Sequence, residues 1–104
     1  MRELKFNVKG QKIEKDSACD FSGIVSGTEG YLTLKVTFDS MWNGFGKVAV
    51  FSDLINEQAV ILKEDACEIP KEILIGSKFY VRILGLRKGI KLTTNKIAVE
   101  QKGL

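Results

Sequence analysis

Residues 31–51, YLTLKVTFDSMWNGFGKVAVF, constrain this chain more than any other stretch. Leu32, Leu34, Val36 and Phe38 alternate with Thr33, Lys35, Thr37 and Asp39, a period of two that marks a strand with one buried and one wet face. Asn43, Gly44 and Gly46 then interrupt the pattern with residues that tolerate the backbone angles of a tight connection. Residues 47–51 resume as a second strand. The expected unit is a hairpin plugged by Trp42, the only tryptophan, folded back over the end of the core.

Similar signals run along the rest of the chain. Leu4, Phe6 and Val8 alternate with Glu3, Lys5, Asn7 and Lys9, giving a first strand. Gly10-Gln11 reads as a turn into a short strand over 12–15 that carries Ile13. Residues 16–30 hold Ser17, Asp20, Ser22, Gly23, Ser26, Gly27 and Gly30 and read as loop, with Ile24-Val25 pairing briefly at a sheet edge. Residues 53–56 are a turn, and 57–63 form a strand through Ala59, Val60, Ile61 and Leu62. Cys67, Glu68 and Ile69 extend until Pro70, which fixes its own φ and drives Ile69 out of the helical region. Proline at a helix start then predicts one short helical turn near 70–75, closed by Gly76. In 78–84, Phe79, Val81 and Ile83 face one way and Tyr80, Arg82 and Leu84 the other. Residues 85–89 read as a turn, and 90–94 and 96–100 as the last strands, bent near Asn95. Seven to nine short strands, without a long amphipathic helix, predict an all-β chain. The expected form is a single domain over 1–104, an antiparallel two-sheet β-sandwich of Ig-like kind, with a barrel as the competing architecture.

A chain of 104 residues, 44% of them hydrophobic, can bury one modest core and is globular rather than disordered. A net charge of +3 is too weak to argue for nucleic acid. No apolar run in the sequence approaches the roughly 18–20 residues that span a bilayer. The first residues, MRELKFNVKG, hold no continuous apolar segment of the secretory type, so synthesis in the cytoplasm is the default. Cys19 and Cys67 are far apart and there is no histidine, which argues against zinc and predicts two free thiols, Cys67 half-buried beside Ile69.

Residues suited to catalysis are sparse. Histidine, the commonest general base and metal ligand, is missing. Gly44-Phe45-Gly46-Lys47 has only the surface look of a phosphate loop, because Val48 opens a strand where that motif needs Ser or Thr at a helix start. Asp16 with Asp20, and Glu64 with Asp65, read as solvated loop charges, since nothing apolar encloses them. The expectation is a non-enzyme with no catalytic residue, cofactor or metal. Trp42 and Phe51 read as core, because a small sandwich has few large side chains to fill it. Phe45, flanked by glycines, is expected to be exposed; with Tyr31 and Tyr80 it would make the aromatic face a carbohydrate-binding module needs. Arg87 and Lys88 form a basic turn that could extend to a patch with Lys5, Lys9, Lys12 and Lys15. On alternating strands those lysines are more simply wet faces and edge guards. The candidate binding residues are therefore Phe45, Tyr31, Tyr80, Arg87 and Lys88.

Several runs taken together carry a resemblance. They are Phe6 with Gly10-Gln11-Lys12-Ile13, Tyr31-Leu32 leading to Phe38-Asp39, and Trp42-Asn43-Gly44 with Lys47 and Phe51. Cys67-Glu68-Ile69-Pro70-Lys71-Glu72-Ile73-Leu74, Phe79-Tyr80-Val81 with Gly85, and Thr93-Thr94-Asn95 follow. The succession resembles a module of virion structural proteins of tailed phages of Gram-positive bacteria, found in baseplate, tail-fibre and head-fibre proteins. The likeness spans residues 6–99 and rests on a Trp-x-Gly turn, an Ile-Pro-x-Glu corner and a Thr-Thr-Asn strand end. It implies an Ig-like, N-terminal anchoring domain that docks on other virion subunits, often as a trimer. It also implies a place in the virion after synthesis in the host bacterial cytoplasm; the weak net charge and short apolar runs add the expectation of no nucleic-acid or membrane partner. Long fibre proteins continue past such a module, whereas this chain stops at Leu104, as either a complete small protein or a fragment of a longer one; the role the resemblance implies is assembly. A sugar- or host-surface-binding module is the first alternative. An enzyme or enzyme inhibitor is the second, and the lack of histidine and of enclosed acid pairs argues against an enzyme.

Overall fold

A computed structural model describes residues 1–103. Among the described residues nine strands make up the all-β architecture: β1 (Arg2–Lys9), β2 (Lys12–Lys15), β3 (Leu32–Phe38), β4 (Gly46–Ser52), β5 (Glu57–Ile61), β6 (Ala66–Glu68), β7 (Lys78–Arg87), β8 (Ile90–Thr93) and β9 (Ile97–Glu100). The first sheet has the order β2-β1-β3-β6. The second runs β5-β4-β7, with β8 and β9 both lying along the far side of the long strand β7. Inward residues of both sheets, among them Leu4, Phe6, Leu34, Phe51, Phe79 and Val81, meet in one core cluster. Ile69, Ile73 and Leu74 join it from the connection after β6.

The expected antiparallel pairing holds for every strand pair except one. β1 and β3 run parallel, in register from Arg2 beside Leu32 to Val8 beside Phe38. Residues 16–30 explain it. They carry the chain from the end of β2 back to the Arg2 end, so β3 starts alongside the start of β1. Parallel neighbours need such a long crossover, and here it is irregular coil. The Arg2 guanidinium ties it down by donating to the carbonyls of Asp20 and Ser22 at 2.9 and 2.6 Å. Val25 bridges to Lys102, the brief edge pairing expected at this point.

The larger correction concerns residues 31–51. β3 and β4 do not form a hairpin. β3 pairs with β1 and β6 in the first sheet, and β4 with β5 and β7 in the second. Residues 39–45 are an arch from one sheet to the other. An arch lets the buried sides of the two strands, Leu34 and Val36 on one and Ala49 and Phe51 on the other, face a common core. Within it Ser40–Trp42 form a 3-10 turn absent from the sequence reading, capped where the Asp39 carboxylate accepts the Met41 N–H at 3.2 Å. The helical turn expected near 70–75 shrinks to two i→i+3 bonds, Ile73 N–H to Pro70 C=O and Leu74 N–H to Lys71 C=O, each 3.1 Å. They tuck Ile73 and Leu74 into the core, where both are fully buried.

Candidate interaction surfaces

Trp42 is fully buried under the arch, as its size and uniqueness suggest. Its indole N–H donates to the Gly10 carbonyl at 2.7 Å, and the Asp39 carboxylate accepts the Gly10 N–H at the same distance. Two side chains of the arch therefore grip both polar groups of the β1–β2 turn, where Gly10 has a φ of +57°. Phe38 and Phe45 flank the indole with ring centroids 5.3 and 6.1 Å away. Phe45 is half-buried rather than exposed. The Arg87 guanidinium covers its outer face, 5.6 Å from the ring centroid, a cation–π contact that shields the ring from water. β7 can pass this close because Gly85 has no side chain, so the turn expected at 85–89 contracts to Lys88-Gly89.

The five candidate binding residues do not converge. Phe45, Arg87 and Lys88 lie at the arch end of the molecule. Tyr80 lies at the other end of β7, seven positions from Arg87 and about 23 Å away at the rise of a strand. It is half-buried, with the Lys78 ammonium 5.6 Å from its ring centroid. Tyr31 is exposed just ahead of β3, in the first sheet's half of the chain, and its carbonyl accepts the Arg2 N–H at 2.9 Å. Lys47, the lysine of the phosphate-loop look-alike, is engaged inward. Its ammonium pairs with Asp65 at 3.3 Å and stands 4.7 Å from the centre of the Phe38 ring.

A surface that the sequence reading passed over lies at the β4–β5 connection. Leu54 is 100% and Ile55 90% exposed. Their backbone is held, because the Asp53 carboxylate accepts the N–H groups of Asn56 and Ile55 at 2.6 and 2.8 Å. The same two bonds, Asn56 first, hold the Asp53 carboxyl below its ordinary value of 3.8. Gly76, Ser77, Lys78 and Tyr80 border the tip, and Ile75, also exposed, precedes them. Two large aliphatic side chains on a fixed turn, aimed at solvent, make an exposed apolar tip that the core does not use. The signal was a conflict inside residues 53–56: the Asp and Asn of a turn enclose Leu-Ile, which a turn has no use for.

The remaining titratable groups are dispersed. Asp20 is held below its ordinary value by the Ser22 hydroxyl and then the Ser22 N–H, in a local loop motif. Cys19 and Cys67 are both free thiols, and burial pushes Cys67 up to about 12. Among the described residues no three of His, Cys, Asp and Glu converge as a metal-holding group. No family model, curated protein or solved structure matches the chain.

Proposed function

We propose that this chain is a non-enzymatic assembly module of the tailed-phage virion kind, an Ig-like sandwich that acts through protein–protein contacts in a tail, baseplate or fibre anchor. The observation that carries the reading is the β4–β5 tip. Leu54 and Ile55 stand free of the core on a turn that Asp53 locks. An aliphatic pair presented on rigid backbone loses little conformational freedom when a partner covers it, which favours docking. The resemblance over residues 6–99 supplies the virion context, and fold alone would not. Other virion subunits are then the partners, and the particle, assembled in the host bacterial cytoplasm, is the place. The sugar-binding alternative requires two or three aromatics on one face. The separation of Phe45 from Tyr80 along β7 gives it no support.

The test is composition of the particle. Phage particles induced from the strain that carries the gene are purified by density gradient and their proteins identified by mass spectrometry. The chain should be present in stoichiometric amount, and a Leu54→Asp/Ile55→Asp variant that folds normally should be lost from the particle. Particles that form at normal yield without the chain would overturn the proposal.

A further inference from the structure

We infer that the β5 edge of the second sheet is a self-association site that pairs with β5 of a second copy of this chain, antiparallel, about a two-fold axis through Ala59. β5 is the edge of its sheet, bonded only to β4, and its free side runs from Glu57 to Ile61, because just beyond it Lys63 exchanges both backbone bonds with Ala66 at 2.9 and 3.1 Å. The direction of its free backbone groups follows from the ladder. Leu62 N–H donates to the Lys47 carbonyl and Asp53 N–H to the Asn56 carbonyl, at 2.9 and 3.0 Å. In an antiparallel pair such bonds recur at every second residue. Residues 56, 58, 60 and 62 therefore face β4, while Glu57, Ala59 and Ile61 turn their N–H and C=O groups to the open side.

Those open groups fit a copy of themselves. With Ala59 on the two-fold axis, Ala59 opposes Ala59 of the second copy, Glu57 opposes its Ile61, and Ile61 opposes its Glu57. All three positions are of the hydrogen-bonded kind, so every free N–H and C=O on both edges finds a partner. Charge is complementary in the same register. Glu57 lies diagonal to Lys63 of the second copy, twice over, within reach of long side chains. Neither residue is in an ion pair within the chain, among the described residues. Ile61, 69% exposed, would be covered between Ala59 and Glu57 of the other copy.

β5 is the longest of the edge strands and carries no lysine within it, although Lys63 follows two residues past its end. Natural sheets guard open edges with lysine, proline or short strands. β2 (KIEK) carries Lys12 and Lys15, β8 carries Lys91 beside Lys88, Lys96 and Lys102 bracket β9, and β6 has three residues. β5 (EQAVI) has no lysine, arginine or proline. A two-fold pairing of this kind closes at a dimer, which sets it apart from the trimer implied by the resemblance.

Sedimentation velocity on the purified chain, from about 10 μM to about 1 mM, suits a strand interface at the small end of the size range. The mass should rise toward twice that of the chain. Ala59→Pro removes the N–H at the axis, which β4 does not use, and should weaken the dimer about tenfold or more while the melting curve stays put. Glu57→Lys and Lys63→Glu should each weaken it, and the two together in one chain should restore it. A monomer at every concentration, a dimer indifferent to Ala59→Pro, or a double charge exchange no better than either single one would each overturn the inference. The inference extends the assembly proposal to one named partner. A monomeric chain that still enters particles through Leu54 and Ile55 would sink the first and leave the second standing.

Discussion

Gly85→Ala tests how tightly the arch is built. An added Cβ at position 85 would lie 2.6 Å from Cζ3 of Trp42, 3.0 Å from its Cε3 and 3.2 Å from Cδ2 of Phe45. Carbon atoms rest at about 3.5–4.0 Å, so the methyl group needs about 1 Å of extra room. Trp42 cannot yield it easily, because the indole N–H is bonded to Gly10 and the ring is wedged by Phe38. β7 cannot back away without stretching the ladder on both sides, since Gly85 pairs with Lys47 on β4 and Leu92 on β8. Overpacking a filled core costs about 1–3 kcal/mol, and a site closed on all sides belongs in the upper half of that range. For a domain of this size the melting temperature should fall by about 10–20 °C.

The measurement is thermal and urea unfolding followed by far-UV circular dichroism, with Trp42 emission as a reporter at the site itself. Gly85→Ala should shift the native emission to the red while the strand signal persists. The decisive step is a double-mutant cycle with Trp42→Leu, whose smaller side chain makes room. In that background the cost of Gly85→Ala should shrink by about 1 kcal/mol or more, the size of coupling expected for residues in contact. A Gly85→Ala protein within about 0.5 kcal/mol of the parent, the range of an ordinary surface change, would refute the reasoning. So would the same cost in both backgrounds.

Other outcomes follow from the same packing. Trp42→Phe keeps much of the ring but strands the Gly10 carbonyl, for a loss of about 1–3 kcal/mol in urea unfolding, and a neutral result would deny the indole bond a role. Trp42→Ala should cost about 3–5 kcal/mol, and a stable, fully folded variant would move the ring out of the core. Glu64 sits at a φ of +53°, in the left-handed region that costs an ordinary side chain about 1–2 kcal/mol. Glu64→Gly should therefore raise stability by about 0.5 kcal/mol after the entropy lost with glycine, and a lower urea midpoint would contradict this. Burial raises the Cys67 thiol from 9.0 to about 12. Between those values the unfolded chain releases a proton that the folded chain keeps, so stability is full below about 9 and falls as pH rises toward 12. Melting temperatures from pH 8 to 11 should fall more steeply for the parent than for Cys67→Val, and parallel curves would remove Cys67 as the cause.

Much of the fold was legible because period-two alternation reports which side of a strand is buried. β1, β3 and the first half of β7 were read that way, inward residues included. Alternation does not say which sheet a strand joins. β3 and β4 alternate as the halves of a hairpin would, and the arch between them shows only through tertiary bonds: Trp42 to Gly10, Asp39 to Gly10, and the separate partners β1 and β7. The parallel pairing of β1 with β3 was hidden for the same reason, since the path of residues 16–30 is fixed by carbonyls that Arg2 collects rather than by a local code. Gly85 misled in a different way. Glycine commonly marks a turn, but here it marks the place where a strand must approach a tryptophan.

The exposed apolar positions were harder to read, and the reason is a bias in how apolar residues are weighed. A large aliphatic residue is assigned to the core by default, because most are found there. That default serves Ile83 and Leu34, and it would fail at Leu54 and Ile55, which the reading of 53–56 as a turn leaves outside the strands. The better guide was disagreement between neighbours. Asp53 and Asn56 demand a turn, a turn between adjacent strands lies on the surface, and so the two residues they enclose had to be outside. The same logic reaches β5. Its period-two pattern assigns Gln58 and Val60 to the half-buried side and Ala59 and Ile61 to the exposed side. An apolar outward side on an edge strand without lysine is a choice that β2 and β8 do not make. In a small all-β domain, the positions where local rules conflict are therefore where contacts with other chains should be sought first.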